Sequence, residues 1–211
     1  MRTRNNKNAD NELNEYSKYI ESKDKLQEII KNMKNINIEI GMGKGEYISK
    51  MAHLNPDKIY IGVEVCKSVL ALAAKKISRY ESENNVNLSN LYIMSFDAIK
   101  IGEFFNENQI DIIYLNFSDP WPKSKHVKRR LTHENFLKEY IKILKKDGYI
   151  KIKTDNIRLF EYTLISMNNF GFNFEEVYLD LHKTNVDNVL TEYERKFCEK
   201  GPIYMLTCKL K

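Results

Sequence analysis

From residue 36 onward the chain alternates two kinds of segment, and this alternation constrains its fold more than any other feature. The β-rich runs NINIEIG, KIYIGVEV, LYIMSF, DIIYLNF and GYIKIKT are followed in turn by EYISKMAHL, SVLALAAKKI, a short irregular element, a basic loop with HENFLKEYIKILKK, and NIRLFEYTLISMNNF. Parallel neighbours need a long crossover, and a helix laid over each face hides apolar strands, so this order predicts an α/β fold with a mostly parallel sheet. Asp155 is placed to cap the last of these helices and Gly171 to end it. The rhythm then breaks. EEVYLDL and IYMLTCKL are strand-like, with a polar segment from His182 to Pro202 and no convincing helix between them, which predicts an antiparallel pair at one sheet edge.

At 211 residues and 42% hydrophobic content the chain has room for one large domain. Residues 36–211 are expected to form it, after residues 1–35 as an N-terminal arm and helix. Residues 1–11 lack apolar periodicity and predict a mobile arm, whereas apolar residues recur with helical spacing from Leu13 to Met33. Cys66, Cys198 and Cys208 are odd in number and lack a C-x-x-C spacing, which argues against a disulfide framework or a thiolate zinc site. The four histidines lack ligand spacing, so no metal is expected, and His182 reads as a surface or edge residue. MRTRNNKNADNE has no apolar core for a signal peptide, and VLALAA is far shorter than a membrane span. A cytoplasmic protein without membrane association is expected.

The first strand runs into EIGMGKG, where Gly41 and Gly43 allow a tight turn and close approach of a ligand at the carboxyl edge of the sheet. Glu64 ends the second strand in IGVEV, where an acid accepts hydrogen bonds from both hydroxyls of a ribose. A glycine turn also serves where a helix merely packs close to a strand. Strand, turn, helix and acid falling in register favour an adenosine-containing cofactor. The spacing is G-x-G-x-G rather than the G-x-G-x-x-G of a pyrophosphate site, and Glu39, just before the turn, would repel a diphosphate. An acid there suits the cationic methionine end of S-adenosylmethionine. Asp97, in SFDA after the third strand, lies where enzymes of that kind bind adenine.

After the fourth strand comes NFSDPWPKSKHVKRRL. Asp119 stands at a central strand tip, where a carboxylate is costly to place without a role, and Pro120 and Pro122 stiffen the corner. Trp121 either meets a ligand there or caps the core beneath the turn. Lys123, Lys125, Lys128, Arg129 and Arg130, with His126 between them, carry one sign of charge beside this corner. Net charge over the whole chain is only +5, so it is the position of this cluster that argues for binding phosphates and for a polyanionic substrate.

The ordered set EIGMGKG, IGVE, FDA, NFSDPWPK with its KSKHVKRRLT continuation, KTDN and TEYERKF, together with the MRxR start, closely resembles the bacterial tRNA (guanine-N7)-methyltransferase family from about residue 36 to near the carboxyl end. The resemblance implies a Rossmann-like, seven-stranded methyltransferase sheet, mostly parallel with an antiparallel C-terminal strand and helices on both faces. It implies S-adenosylmethionine as co-substrate, held at Glu39, Gly41, Gly43, Glu64, Asp97 and Asp119, with Asp119 also catalytic. By the same resemblance Lys123, Asp155, Thr191, Glu192, Tyr193 and Glu194 hold the substrate, and Lys125, His126, Val127, Lys128, Arg129 and Arg130 bind RNA. tRNA is the implied partner, its variable-loop guanine the target, with no obligate protein partner and a monomer or homodimer expected.

Guanine N7 carries a lone pair and no proton, so its methylation needs placement rather than a base acting on the attacking atom. Carboxylates among Asp119, Asp155 and Glu194 could accept hydrogen bonds from N1–H and the 2-amino group, with the division of roles left open. Two rivals stand beside this expectation: a methyltransferase of the same fold acting on a small molecule or protein, and an RNA-binding protein without catalysis.

Overall fold

The computed structural model describes residue 13 and residues 15–210, so the arm expected over residues 1–11 lies outside the described residues. Seven strands form one sheet: β1 (Ile36–Ile40), β2 (Ile59–Glu64), β3 (Leu91–Ser95), β4 (Ile110–Asn116), β5 (Leu144–Thr154), β6 (Phe172–Tyr178) and β7 (Tyr204–Leu210). Their order is β3-β2-β1-β4-β5-β7-β6. The first five pair in parallel, and β7 runs antiparallel to both β5 and β6. The expected terminal pair is therefore present, with β7 inserted inside the sheet and β6 at its edge. The helices are α1 (Lys23–Ile30), α2 (Glu46–Leu54), α3 (Lys67–Asn84), α4 (Glu134–Ile143), α5 (Ile157–Phe170) and the short α6 (Glu192–Phe197).

The central strands are buried on both faces, as continuous apolar runs require. β1 has no exposed residue, and Ile36, Ile38, Ile61 and Ile113 are fully buried. Each such side chain contributes about 2–3 kcal/mol of transfer free energy. One face packs against Leu26 and Ile30 of α1, Phe136 and Tyr140 of α4, and Phe160 and Met167 of α5. The other packs against Tyr47 and Ile48 of α2 and Leu70, Ala74 and Ile77 of α3. No helix among the described residues is long and apolar enough to cross a membrane.

Three local expectations are corrected. The helix expected through Lys146 stops at Ile143, and the chain passes directly into β5, because Leu144 pairs with Ile110 and is buried. Tertiary pairing there overrides the helix propensity of the Leu-Lys-Lys stretch. The cap of α5 is Asn156, whose side chain accepts from the Leu159 amide, so Asp155 is free for another contact; Gly171 ends the helix with φ 98°, as expected. Finally, the polar segment before β7 does contain a helix, α6. Thr191 Oγ1 accepts from the Glu194 amide at 2.9 Å, and Glu194 reaches back to the Thr191 amide at 3.4 Å. That reciprocal pair is a capping box, legible in the spacing Thr-x-x-Glu.

Candidate active site

Strand order reverses between β1 and β4, which opens a crevice beyond their carboxyl ends. Gly41 follows β1 and Phe117 follows β4. Two cavities meet along these two residues, one of about 670 Å3 and one of about 460 Å3. The turn between β1 and α2 puts Gly41, Gly43 and Gly45 at φ of 74°, 57° and 74°, values that a side chain would strain.

The larger cavity collects the acids expected at a cofactor. Glu64, Asp97 and Asp119 line it together with Gly41 and Trp121. Glu64 accepts from the amides of Gly43, at 3.2 Å, and Cys66, at 3.0 Å, so its carboxylate is fixed across the glycine turn. Asp97 caps the turn Ala98–Glu103 through the Ile99 amide and remains exposed. Glu39 differs, since it is buried and lines the smaller cavity. Its Oε1 accepts from Asn116 Nδ2 at 2.9 Å, while Oε2 has no partner. Burial raises its carboxyl to about 7 against the opposing pull of Asn116 and Lys153.

The corner after β4 is strained. Phe117 and Trp121 adopt φ of 50° and 41°, and Asp119 stands exposed between them. Bulky residues in that region cost on the order of 1–3 kcal/mol each, and the conformation persists only where its surroundings impose it. Arg130 supplies part of that restraint. The sequence grouped it with the RNA-facing bases, yet it is buried, donating from Nε to the Pro120 carbonyl at 3.0 Å and from Nη2 to the Trp121 carbonyl at 3.2 Å. Its guanidinium also lies 4.4 Å from the Tyr162 ring centroid. Lys123, Lys125, Lys128 and Arg129 are exposed around the turn Ser124–Arg129, with His126 and Val127 half-buried. Arg129 covers the Trp121 ring at 4.9 Å, and His126 meets that ring edge-on.

The smaller cavity is aromatic. Phe117, Tyr193 and Phe197 line it in sequence, with ring centroids 5.1 and 4.4 Å apart. Thr191, Glu192, Glu39 and Asn116 also line it, with Lys44, Glu46 and Tyr47 on the side of α2. Tyr193 donates its hydroxyl to Asp155 Oδ2 at 2.9 Å, joining α6 to the end of β5. Glu194 takes no part in the lining. It is fully buried, accepting from Lys153 Nζ at 2.8 Å, Asn188 Nδ2 at 2.7 Å and His182 Nε2 at 2.9 Å. These partners, Lys153 foremost, outweigh burial and hold its carboxyl below the usual range. Lys153 also donates to Asn188 Oδ1 and the Val189 carbonyl, each at 3.0 Å.

Sequence reasoning thus missed Asn116, Phe117, Lys153 and Phe197. Asn116 and Phe117 sit within the NFSDPW stretch, whose rarity was signal enough. Lys153 in KIKT has no mark that separates a buried lysine from the solvent-facing Lys of an alternating strand. Among the described residues no group of three or more His, Cys, Asp or Glu is arranged to hold a metal ion.

Comparison with known proteins gives the relatives of this arrangement. Residues 33–206 match the family model described as "Putative methyltransferase". The chain is 43% identical over 209 residues to the tRNA (guanine-N(7)-)-methyltransferase of Streptococcus sanguinis, covering 96% of each chain. It is 48% identical over 173 residues to the protein of the same name from Lactiplantibacillus plantarum, covering 81% of this chain and 78% of the relative. Among solved structures it superposes on the 16S rRNA methyltransferase KamB with a TM-score of 0.67 and 13% identity, over 90% of this chain and 94% of the other. A SAM-dependent methyltransferase from Aquifex aeolicus matches over the whole of both chains with a TM-score of 0.59 and 12% identity. At those identities the structural likeness is one of fold.

Proposed function

The chain belongs to the tRNA (guanine-N(7)-)-methyltransferase family, and from that premise we propose that it methylates N7 of a guanine in tRNA, with S-adenosylmethionine as donor, in the cytoplasm. One observation carries the assignment of sites: an acid-lined cavity and an aromatic one meet at Gly41 and Phe117, on the crevice between β1 and β4.

The larger cavity suits the donor. The Glu64 carboxylate, already fixed by two amides, has lone pairs left for ribose hydroxyls, and Asp97 stands where adenine would lie. The methionine end of the donor would reach past Gly41, which lines both cavities, to Glu39 in the wall of the smaller one, where its ammonium would offset the burial that raises the Glu39 carboxyl to about 7 and leaves Oε2 without a partner. When bound, S-adenosylmethionine supplies a sulfonium methyl: the N7 lone pair forms the new N–C bond, the C–S pair returns to sulfur, and no proton leaves N7.

The protein's part is orientation and charge. Phe117 and Tyr193 offer faces on which a guanine can stack, worth about 1–3 kcal/mol per base. Asp119, at the donor cavity, and Asp155, held by the Tyr193 hydroxyl, can accept from guanine N1–H and the 2-amino group. Positive charge grows on the purine during transfer, so these carboxylates stabilise the transition state more than the ground state. Glu194 and Lys153 act through the protein by locking α6, and Arg130 acts by locking the Asp119 corner. Lys123, Lys125, His126, Lys128 and Arg129 face outward to meet phosphates.

The test is to incubate purified protein with unmodified tRNA and labelled donor, then digest to nucleosides and identify the product by mass spectrometry. 7-Methylguanosine is expected. Label appearing in another nucleoside, or only in small molecules or protein, would refute the function.

A further inference from the structure

Among the described residues, the ion pairs around α6 share few acids among many bases. Glu192 is shared by three ammonium groups, with Lys196 Nζ at 2.5 Å, Lys76 Nζ at 2.6 Å and Lys44 Nζ at 3.7 Å. Lys196, then Lys76, hold its carboxyl down at about 2, the mark of a carboxylate in a surplus of positive charge. Glu46 is shared in the same way, by Lys50 at 3.0 Å and by Arg195. One carboxylate cannot neutralise two or three cations, so positive charge is left over at the surface. It is gathered in a concave place. Lys44, Lys50, Lys76, Arg79 and Arg195 line a groove of about 370 Å3, against Glu46 and Glu83 as the carboxylates in its wall. The side chains of Lys44, Lys76, Arg79 and Arg195 remain 43% to 77% exposed, within reach of a ligand.

The position of the groove indicates the ligand. Lys44 and Glu46 line both this groove and the aromatic cavity, so the groove adjoins the site assigned to the target guanine on the side of α2 and α3. Lys128 and Arg129 lie at the donor cavity instead. A nucleotide strand whose base enters the aromatic cavity must leave it in two directions, and a cationic tract stands on each side.

We propose that the groove between α2, α3 and α6 binds the sugar–phosphate backbone of tRNA on the side of the target nucleotide opposite the basic turn. This rests on the methyl-transfer function above.

The experiment measures tRNA binding over a range of salt concentrations for wild type, the double variant Lys76→Ala with Arg79→Ala, and Glu83→Gln. Two lost phosphate contacts should weaken binding about tenfold and flatten the slope of log K against log salt by about 2. At saturating tRNA, kcat and donor affinity should match wild type. Removing the acid by Glu83→Gln should strengthen binding about two- to threefold, a gain that a structural role for the network would not produce. The control is Lys146→Ala with Lys209→Ala, at the amino-terminal end of β5 and so at the end of the sheet away from the crevice, where Lys209 pairs with Tyr149 in the β5–β7 ladder. Wild-type affinity and slope in the double variant, or an equal loss in the control, would overturn the proposal. Failure of the wild-type protein itself to bind and methylate tRNA would instead overturn the parent function, and it is seen before any variant is made.

Discussion

On the donor side of the Gly41–Phe117 seam, Glu64, Asp97 and Asp119 stand at strand ends with their carboxylates at the wall of a cavity. On the far side, Glu194 has no exposed surface, and its two oxygens are taken up by Lys153, Asn188, His182 and the Thr191 amide. All four acids lie in the sequence segments that carry the family resemblance. The difference teaches that such a segment can do two jobs, offering groups to a ligand or bearing the load that fixes a neighbour's position, and that spacing alone does not tell them apart. Tyr193 and Glu194 make the point one residue apart: the first projects into a cavity and the second anchors the helix that presents it.

The contrast breaks most visibly at Glu194. Glu194→Ala leaves the Lys153 ammonium buried without its counterion, and should cost about 3–5 kcal/mol of stability by urea denaturation. Wild-type stability would mean the pair is not scaffold. Asp119→Asn should show the opposite pattern, with kcat down by at least about a hundredfold, near 2.7 kcal/mol, and stability within about 0.5 kcal/mol of wild type. Near-normal turnover by that variant would remove the catalytic assignment.

Glu39 lies between the two cases, and its titration sharpens them. Burial raises its folded carboxyl to about 7, above the unfolded value, so the ligand-free protein is destabilised as pH rises from the ordinary carboxylate range through about 7. Glu39→Gln should abolish that loss, stabilising the ligand-free protein by on the order of 2 kcal/mol at about pH 8 while weakening donor binding. A variant with the wild-type pH–stability curve would place the carboxylate in a wetter setting than the structure gives it. The smallest contrast is between adjacent arginines. Arg130→Ala should lose about 1–2 kcal/mol of stability, because two carbonyls of the strained corner lose their donor. Arg129→Ala should leave stability unchanged and lower the salt slope of tRNA binding by about 1.

The architecture was legible because it rests on periodicity. β1 to β5 alternate with crossovers, and the glycine turn marks the strand that heads the crevice. The errors came where local signals met tertiary ones. Leu144 to Lys146 has helix-forming residues that strand pairing with Ile110 overrides. At the cap of α5, Asp155 and Asn156 are adjacent residues of equal capping ability, and the side-chain bond from Tyr193 claims the first. Of the site, the acids at strand ends were readable from position alone. The inward turn of Arg130 and the burial of Glu194 were not, since charge in sequence carries no direction; the Pro120–Trp121 carbonyls and Tyr162 of α5 turn Arg130 inward, and the packing of β5, α6 and the segment between β6 and α6 buries Glu194.

The most direct measurement is a crystal structure of the protein with tRNA and S-adenosylhomocysteine. The account predicts the thioether ligand in the cavity of Glu64 and Asp97, and a guanine in the neighbouring aromatic cavity, stacked on the Phe117–Tyr193 cluster with N7 turned toward the sulfur. A guanine bound elsewhere, or an aromatic cavity filled by the protein itself while tRNA is engaged, would contradict it.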